Sequence, residues 1–305
     1  MPDQMENFVL TISLLLIGML LRRLPAMPRD AAQSLNLFVI YLSLPALVLI
    51  KVPQLEFNRE LLVPGLMPWG MLLVSALLVL LLSRALKWDK EITGTLLLLV
   101  PLGNTSFLGI PMVNAFFGEE GIPYALIYDQ FGSFLALATY GSLVAALYGR
   151  QEGKPTARGV LLKIATFPPF LALLLALCLR SWTPPPSLSA LLGTLAATLV
   201  PLVMISVGLQ LSPRLDRSTL APLGLGLGIK LCLAPLLALI WVKMLGQEGL
   251  PVQVAVFEAG MPPMVSAGAL AVVAGFSPRL TAALVGLGIL LSFVTLPLLF
   301  RALYG

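Results

Sequence analysis

The side chains of this sequence that could bind an ion or a small anion are concentrated in two short polar interruptions about half a chain apart. The first, residues 103–111, has the sequence GNTSFLGIP, and the second, residues 258–263, has the sequence EAGMPP. Asn104 can both donate to a carboxylate and accept a hydrogen bond, so an organic anion suits it. Glu258 could carry a proton or bind a cation. The residues predicted to contact the anion are Asn104, Thr105, Ser106, Pro111, Met261, Pro262 and Pro263.

Two further charged residues, Asp129 and Lys230, lie inside apolar segments, where an ionised side chain is costly and is a functional candidate by default. Asp129 could form an ion pair with Lys230 that holds the protein together, or it could be a proton site. Lys230 could neutralise Glu258 or Asp129, or it could attract an anionic substrate. For Glu258 the alternative is that its side chain extends to the external surface, because it lies near one end of its segment.

Both interruptions also have a purely structural explanation, because proline lacks a backbone N–H and clashes with the preceding turn. We expect Pro111, Pro262 and Pro263 to force the breaks, and the polar side chains could then simply satisfy the backbone groups that the breaks free. In a membrane, however, such breaks persist where they line a protein-enclosed cavity. A pair of breaks at matching positions in two halves is typical of a transporter's binding site. The duplication therefore favours the functional interpretation.

The composition places these segments in a membrane. Hydrophobic residues make up 58% of the 305 residues and charged residues only 11%, whereas soluble domains carry roughly 25% charged residues. The sequence contains no basic patch interleaved with aromatic residues, so it gives no indication of nucleic-acid binding. The chain contains no histidine, so any proton coupling falls to carboxylates. Because no metal-ligand spacing, nucleophile elbow or Walker loop occurs, the sequence predicts neither an enzyme, nor a cofactor, nor a primary pump.

Ten apolar segments are long enough to cross a bilayer, for which about 20 residues are needed. The sequence therefore predicts an all-α polytopic membrane protein in contact with the lipid bilayer. The fourth and ninth segments contain the two interruptions. A cytoplasmic linker, 150–158, separates a first half, 1–149, from a second half, 159–305. The predicted spans are 6–22, 32–51, 62–83, 91–117, 122–149, 159–180, 187–211, 218–244, 249–275 and 279–302.

The distribution of basic residues predicts the orientation of these spans. With the N-terminus outside, 13 basic residues lie in loops that face the cytoplasm and five lie at the external ends. The positive-inside rule therefore supports both termini outside. The first span is preceded by acidic and followed by basic residues, the opposite of a signal peptide, so we interpret it as a retained span. The cytoplasmic set is Arg22, Arg23, Arg29, Arg84, Lys87, Lys90, Arg150, Lys154, Arg158, Lys163, Arg214, Arg217 and Arg279, and the external set is Lys51, Arg59, Arg180, Lys243 and Arg301.

The two halves align with each other. With a shift of 157 residues, Gly103 falls on Gly260 and Asn104 falls on Met261. Because five spans per half is an odd number, the second half must enter the membrane with the opposite orientation. The sequence therefore predicts two inverted five-helix repeats in which the broken helices 4 and 9 cross near the middle of the membrane.

Other polar, sulfur-containing and small residues favour packing roles. Cys178 and Cys232 are interpreted as buried free thiols rather than as a disulfide. The glycines at 224, 226 and 228 follow no strand, so close helix packing is favoured over a phosphate loop. Polar residues of the second and seventh spans could line a cavity wall, although hydrogen bonds between helices are the favoured interpretation. These residues are Asn36, Ser43, Ser206 and Gln210.

These motifs resemble the bacterial branch of the auxin efflux carrier family. The resemblance rests on the run 103–111, on Tyr128 and Asp129 in the next span, and on the run 258–263, and it extends over essentially the whole chain. The long cytoplasmic loop of many plant members is missing. The resemblance implies the ten-helix crossover fold of sodium/proton antiporters and bile-acid symporters.

The resemblance also implies a mechanism. Helices 1, 2, 6 and 7 would form a scaffold, often at a homodimer interface, and helices 3–5 and 8–10 would form a transport domain that moves like an elevator. In relatives, a crossover asparagine and crossover prolines help to bind a carboxylate, and these roles carry over to Asn104, Pro111 and Pro262. Bacterial members are usually described as malate or malonate permeases, and plant relatives export auxin. Here Met261 aligns with Asn104, so a second amide is missing at that position.

The sequence thus predicts a secondary active transporter of small organic anions, such as malate, malonate or auxin-like acids, in a bacterial inner membrane. Asn104 and the half-helix ends would hold the anion. Glu258 or Asp129 would carry a coupling proton or help to bind sodium. A cation/proton antiporter without an organic substrate is one alternative, and a membrane sensor that binds an anion without transporting it is another.

Overall fold

A computed structural model of the chain describes residues 2–28, 30–55, 59–149, 156–179, 184–211 and 219–304. Every regular element in these ranges is a helix, as expected where lipid cannot satisfy backbone groups. In chain order the helices are α1 (Pro2–Leu21), α2 (Ala31–Gln54), α3 (Arg59–Ala85), α4 (Lys90–Leu99), α5 (Thr105–Phe117), α6 (Ile122–Tyr148), α7 (Ala157–Ala165), α8 (Pro168–Cys178), α9 (Pro186–Gln210), α10 (Leu220–Met244), α11 (Leu250–Ala259), α12 (Val265–Val273) and α13 (Pro278–Tyr304).

Within the described residues, six helices are long and apolar enough to cross a membrane by themselves, namely α2, α3, α6, α9, α10 and α13. The bent pair of α7 and α8 passes the same test as one broken span. Each predicted apolar segment coincides with one helix or with two helices separated by a break. The chain is therefore an all-α polytopic membrane protein, as the sequence predicts.

Both predicted interruptions are present as gaps between helices. α4 ends at Leu99 before α5 begins at Thr105, and α11 ends at Ala259 before α12 begins at Val265. Pro262 and Pro263 lie in the second gap, where two successive residues without an N–H prevent the helix from continuing.

The first gap has a different cause from the one predicted. Pro111 does not lie in it, but is the second residue of the α-helical part of α5, Ile110–Phe117. A wider, π-helical turn, Thr105–Gly109, precedes Pro111 and accommodates its missing N–H, so α5 continues through the proline. The proline inside the gap is Pro101. The prediction that Pro111 forces the break is therefore wrong.

A third break, absent from the predicted continuous span 159–180, separates α7 from α8. The two helices are bent by 65°, and Phe167 between them is extended, with φ −79° and ψ 113°. Pro168 follows Phe167 and disfavours the helical conformation in the residue before it. The sequence contained this signal.

Wider, π-helical turns interrupt several helices, and such turns occur often at functional sites. Thr105 lies in the turn Thr105–Gly109 of α5, and Lys230 lies in the turn Ile229–Leu233 of α10. Asp129 lies in the turn Tyr128–Phe134 of α6. With Ser106, which also lies in the turn Thr105–Gly109, four of the candidate site residues therefore lie on locally widened helix.

By compactness the chain divides into two units. The first unit comprises Met1–Asn58, Ser106–Leu126 and Leu162–Leu211, and the second unit comprises Arg59–Thr105, Ile127–Leu161 and Ser212–Gly305.

In the first unit, α1 packs directly against α9 through two glycines. A Cβ atom on Gly18 would lie 2.2 Å from the Ile205 carbonyl oxygen, and a Cβ atom on Gly208 would lie 2.2 Å from the Leu15 carbonyl oxygen. Small residues therefore permit the close backbone approach that is typical of membrane helix pairs. At the end of this contact, Arg22 Nη1 donates to the carbonyl oxygen of Leu211 (2.5 Å) and satisfies a group beyond the C-terminus of α9.

Polar residues of the second and seventh predicted spans form hydrogen bonds between α2 and α9 in the first unit. Ser206 Oγ of α9 donates to Asn36 Oδ1 of α2 (2.6 Å), and the hydroxyl oxygens of Ser43 of α2 and Thr198 of α9 are 2.7 Å apart. Gln210 Nε2 donates to Ser206 Oγ (3.1 Å) within α9. Hydrogen bonds between helices, the favoured interpretation, are therefore confirmed for Asn36, Ser43 and Ser206 but not for Gln210.

In the second unit, α4 lies at the centre of the apolar core. Its C-terminal end and the residue that follows, Leu98, Leu99 and Val100, are fully buried and the helix contacts α3, α6, α10, α12 and α13. Of the three glycines predicted to pack helices, only Gly226 does so, with a virtual Cβ 2.9 Å from Leu96 Cδ2. A Cβ atom added at position 224 or 228 would have no described atom of another element within 4 Å, so the packing interpretation is wrong for these two glycines.

Cys178 and Cys232 are free, but both are exposed rather than buried. In a membrane protein an apolar segment can face lipid, so apolar neighbours in the sequence do not imply burial.

The linker residues 150–155 and some of the residues that predict the orientation lie outside the described residues, namely Arg29, Arg150, Lys154, Arg180, Arg214 and Arg217.

Candidate functional site

The two interruptions meet within the second unit. The Asn104 N–H donates to the carbonyl oxygen of Pro262 (2.8 Å), and the Met264 N–H donates to the carbonyl oxygen of Leu102 (3.0 Å). Between these bonds, Gly103 and Pro263 form an antiparallel bridge. Each break thus satisfies backbone groups of the other that lipid could not satisfy.

These two hydrogen bonds also set the register between the breaks. The two donors, Asn104 and Met264, correspond to each other, and so do the two acceptors, Leu102 and Pro262. The members of each pair are 160 residues apart (264 − 104 and 262 − 102). The shift of 157, which placed Met261 opposite Asn104, is therefore three residues off at this point. Met261 instead continues the last turn of α11, where its N–H donates to the Glu258 carbonyl (3.1 Å).

The Asn104 side chain is buried beside this backbone bridge. The residue is 1% exposed, and within the part of the chain that the structure describes neither Oδ1 nor Nδ2 has a hydrogen-bond partner. A buried polar group left unsatisfied costs about 1–3 kcal/mol. Because the backbone groups of this bridge satisfy each other, the Asn104 side chain is not what satisfies them.

Asp129 is held beside the first break by two donors. Thr105 Oγ1 donates to Asp129 Oδ1 (2.5 Å), and Gln130 Nε2 donates to Asp129 Oδ2 (2.7 Å). All three residues are buried. Thr105 follows Asn104 in the chain, so this hydrogen bond links the first break to the π-helical turn of α6.

Lys230 brings a positive charge to the same break. It is 4% exposed, and a Cβ atom on Gly103 would lie 3.1 Å from Lys230 Nζ. Among the described residues, Lys230 has no acidic oxygen within 4.0 Å, so the direct ion pair with Asp129 considered from the sequence is not formed. The ammonium group therefore lies next to the residue that precedes Asn104.

Glu258 is fully buried at the end of α11. Because the residue is 0% exposed, the alternative that its side chain extends to the surface does not hold. Neither carboxylate oxygen has a hydrogen-bond partner among the described residues. Glu258 interacts electrostatically with Asp129 and with Lys230. The carboxylate thus belongs to the same buried polar group as the two charged residues.

The remaining candidate residues lie in the second break and in α5. Met261, Pro262 and Pro263 are buried in the second break. Thr105 and Ser106 begin α5, where Ser106 is half-buried, and Pro111 is buried within that helix. The second unit therefore assembles Asn104, Thr105, Asp129, Lys230, Glu258 and the residues of the second break.

Two further residues belong to this site but were not recognised in the sequence. Gln130 is fully buried and donates to Asp129, and its Oε1 has no hydrogen-bond partner within the described ranges. Its signal was present, since it is an amide next to an acid inside an apolar span. Gly103 contributes by lacking a side chain, because a Cβ atom there would press on the Lys230 ammonium. The sequence could not reveal this role, because Gly103 and Lys230 are far apart in the chain.

A buried polar centre at two paired helix breaks in a membrane-spanning chain is the architecture of a transport protein. Comparison with family models agrees, because the model described as Membrane transport protein matches residues 4–300. The chain belongs to this family, which includes the auxin efflux carriers, and the resemblance noted from the sequence is confirmed.

Individual relatives are also described as transporters. A protein of Methanothermobacter thermautotrophicus, named "Uncharacterized transporter", is 30% identical over 298 residues, 96% of each chain. A protein of the same description in Methanocaldococcus jannaschii is 28% identical over 273 residues, 85% of each chain. A protein of Rhizobium meliloti named "Putative malonate transporter" is 27% identical over 257 residues, 82% of this chain and 80% of its own.

Proposed function

We propose that this protein is a secondary active transporter of small organic anions, carboxylates of the size of malonate or malate. The observation that carries the proposal is the Asn104 amide, which is buried at the paired breaks and has no hydrogen-bond partner among the described residues for either polar atom. The acceptor oxygens of a carboxylate would satisfy Nδ2, and a hydroxyl group or water bound with the anion would satisfy Oδ1. The name of the Rhizobium meliloti relative supports a dicarboxylate such as malonate as the first substrate to test.

The anion would bind between the Asn104 amide and the Lys230 ammonium. Nδ2 of Asn104 can donate to a carboxylate, and Lys230 adds a charge whose attraction is strong where water is excluded. The start of α12 and the turn that begins α5 contribute backbone N–H groups near the same breaks. Pro262 and Pro263 shape the walls, and Thr105 adds a hydroxyl group, whereas Ser106 and Pro111, which the sequence predicts as contacts of the anion, group with the first unit.

Charge balance gives a physical basis for coupling. With Asp129 and Glu258 ionised, the cluster around Lys230 already has one negative charge in excess. A carboxylate would therefore bind more readily when Glu258 carries a proton, since the charges of Asp129 and Lys230 then balance and the cluster has no net negative charge to oppose the substrate. Glu258 is the proposed proton carrier, and sodium held by Glu258 and Asp129 is the alternative coupling ion.

Alternating access would arise from an inverted repeat with crossing broken helices. Left-handed glycines end corresponding helices at Gly118 (φ 71°) and Gly275 (φ 77°), and Lys87 (φ 53°) and Gly246 (φ 61°) end the preceding spans. These pairs are separated by 157 and 159 residues (275 − 118 and 246 − 87), which supports a repeated architecture.

An elevator mechanism would move one compact unit while the other stays fixed. The first unit contains the first, second, sixth and seventh spans, which supports its assignment as the scaffold. Residues Ser106–Leu126 also group with that unit, so the proposed boundary falls within α5 rather than between spans. We further propose a bacterial inner-membrane location, both termini outside, and a homodimer formed through the scaffold.

A second candidate function is a cation/proton antiporter that transports no organic anion. The unpartnered oxygens of Glu258 near Asp129 favour it, because carboxylate oxygens are ligands for hard cations. Proteoliposomes separate the two candidates. Proton flux driven by a sodium gradient, with no carboxylate present, would favour the antiporter.

The test of the carboxylate proposal is uptake of labelled malonate and malate into proteoliposomes. We expect saturable uptake by the wild type, and a rise in KM of about 10- to 100-fold for Asn104→Ala, because a hydrogen bond to a charged group contributes about 1.5–3 kcal/mol. Asn114→Ala, a half-buried asparagine of α5, is the matched control and should behave like the wild type. Normal uptake by Asn104→Ala would remove the proposed role of Asn104.

A further inference from the structure

Two consecutive residues of α3 contact two consecutive residues of the π-helical turn Tyr128–Phe134 in α6. Trp69 Nε1 donates to the carbonyl oxygen of Phe131 (2.9 Å). A Cβ atom on Gly132 would lie 2.1 Å from Cγ of Pro68, so the proline ring occupies the space that a side chain would need. The turn that carries Asp129 and Gln130 is thus held by α3 through one hydrogen bond and one close contact.

The width of this turn determines where Asp129 points. A π-helical turn contains one residue more than the corresponding α-helical turn, and each residue rotates a helix by about 100°. If the turn narrowed to an α-helical one, residues on its two sides would change their relative direction by about that angle. The hydrogen bond between Thr105 Oγ1 and Asp129 Oδ1 could not then keep its present geometry.

A continuous set of contacts therefore links α3 to the candidate site. Trp69 bonds to Phe131 within the turn, the turn carries Asp129, and Asp129 accepts a hydrogen bond from Thr105, the neighbour of Asn104. Trp69 itself is only partly buried and packs against the core of the second unit. Its indole N–H is aimed at the backbone and not at the candidate site.

We propose that Trp69 is a positioning residue for substrate binding, acting by holding the π-helical turn of α6 so that Asp129 stays hydrogen-bonded to Thr105. This inference rests on the proposed function for its effect on transport. Its structural part, that Trp69 holds the turn, stands independently of what the protein transports.

The principal variant is Trp69→Phe, which keeps an aromatic ring and removes the N–H donor. Trp241→Phe is the matched control: Trp241 also packs on α3, with a virtual Cβ of Gly70 2.6 Å from its Cζ3, but its indole forms no hydrogen bond to the described residues. Incorporation of 3-benzothienylalanine at position 69 supplies a second variant, because sulfur replaces the N–H in a ring of nearly the same shape.

Two measurements distinguish a positioning role from a general structural one. Amide hydrogen exchange of the segment 127–135 should become faster in both position-69 variants and stay at the wild-type rate in Trp241→Phe. Malonate KM should rise about fivefold, the effect of one neutral hydrogen bond, while the maximal rate and the melting temperature in detergent stay close to wild type.

The outcomes separate this inference from the proposed function. If the wild type transports no carboxylate, the proposed function fails, and the exchange rates alone decide whether Trp69 holds the turn. Unchanged exchange of segment 127–135 in both position-69 variants would overturn the inference, even if transport is confirmed. Faster exchange with unchanged KM would overturn the positioning role and leave Trp69 a structural residue only.

Discussion

At the scale of single residues, the site is defined by polar atoms that lack partners. Asn104 and Glu258 are both buried, and none of their four side-chain polar atoms has a hydrogen-bond partner in the ranges that the structure describes. Folding alone would favour an apolar side chain at either position, because burial of an unsatisfied polar group opposes stability. Binding of a ligand or an ion therefore explains these two buried polar side chains better than a contribution to folding stability does.

Glu258→Gln should separate anion binding from proton coupling. Glutamine has the same shape but cannot take up a proton, so uptake should no longer accelerate when an inward proton gradient is imposed. We expect the gradient-driven rate to fall by about tenfold, which corresponds to roughly 1.4 kcal/mol, while malonate KM stays within about twofold. The measurement is proteoliposome uptake with and without a pH difference.

Glu119→Gln is the control for this experiment. Glu119 is exposed and pairs with Lys51 in the first unit, so its replacement should leave the gradient response intact. A full gradient response in Glu258→Gln would assign the coupling proton to another group.

Gly103→Ala should weaken substrate binding without unfolding the protein. The added Cβ would lie 3.1 Å from Lys230 Nζ and 3.6 Å from Met261 Cβ, so the ammonium group, the far end of a flexible chain, must shift by a few tenths of an ångström. Because Lys230 is proposed to face the anion, malonate KM should rise several-fold. Melting temperature in detergent should change little, and an unchanged KM would argue against a role of Lys230 in binding.

At the scale of elements, the helix breaks show what could be predicted from the sequence. Pro262 and Pro263 correctly predicted the second break, because the loss of two N–H groups is a local effect. The first break was placed correctly but attributed to Pro111 rather than Pro101, because the wider turn that accommodates Pro111 has no evident sequence signal. The bend at Phe167 was missed although Pro168 signalled it.

Contacts between distant segments could not be predicted in the same way. The sequence placed Asn104 at a break, but only the structure shows that its N–H donates to Pro262 and that its side chain has no partner. The register between the breaks was off by three residues, because few identities constrain an alignment of two apolar halves. Gln130 entered the site through its contact with Asp129, and its own position gave only a weak signal.

The contact between α1 and α9 can be tested by a pair of glycine variants in the first unit. Gly18→Ala places a Cβ atom 2.2 Å from a backbone oxygen, so the helices must separate, at a cost of about 1–3 kcal/mol. Gly193→Ala, on α9 with nothing within 4 Å, should be neutral or stabilise the protein by up to about 1 kcal/mol. Thermal denaturation in detergent measures both, and equal melting temperatures would contradict the close packing.

At the scale of the whole molecule, transport requires that the chain be oriented and divided so that one part can move. The two compact units have boundaries between Thr105 and Ser106 and between Leu126 and Ile127. Asn104, Asp129, Lys230 and Glu258 all belong to the second unit. The proposed binding groups could therefore move together as one body in an elevator mechanism.

The orientation can be tested by thiol labelling in intact cells. Cys178 and Cys232 are exposed, so both are first replaced by alanine. In that background we expect a membrane-impermeant maleimide to label Glu120→Cys, in the loop after α5, from outside. It should label Lys90→Cys, at the start of α4, only after permeabilisation, because the positive-inside rule places that loop in the cytoplasm. The reverse pattern would place both termini inside.

The antiparallel bridge between Gly103 and Pro263 also imposes an order on biosynthesis. The acceptor for the Asn104 N–H, the Pro262 carbonyl, lies about 160 residues later in the chain. A ribosome that adds roughly 5–20 residues per second needs about 8–30 s to reach it. During that interval the first half holds an open helix break with no lipid partner for its backbone. The insertion machinery must therefore shield residues 100–104 until the second half arrives, and a nascent chain stalled in the linker becomes a natural target for membrane quality control.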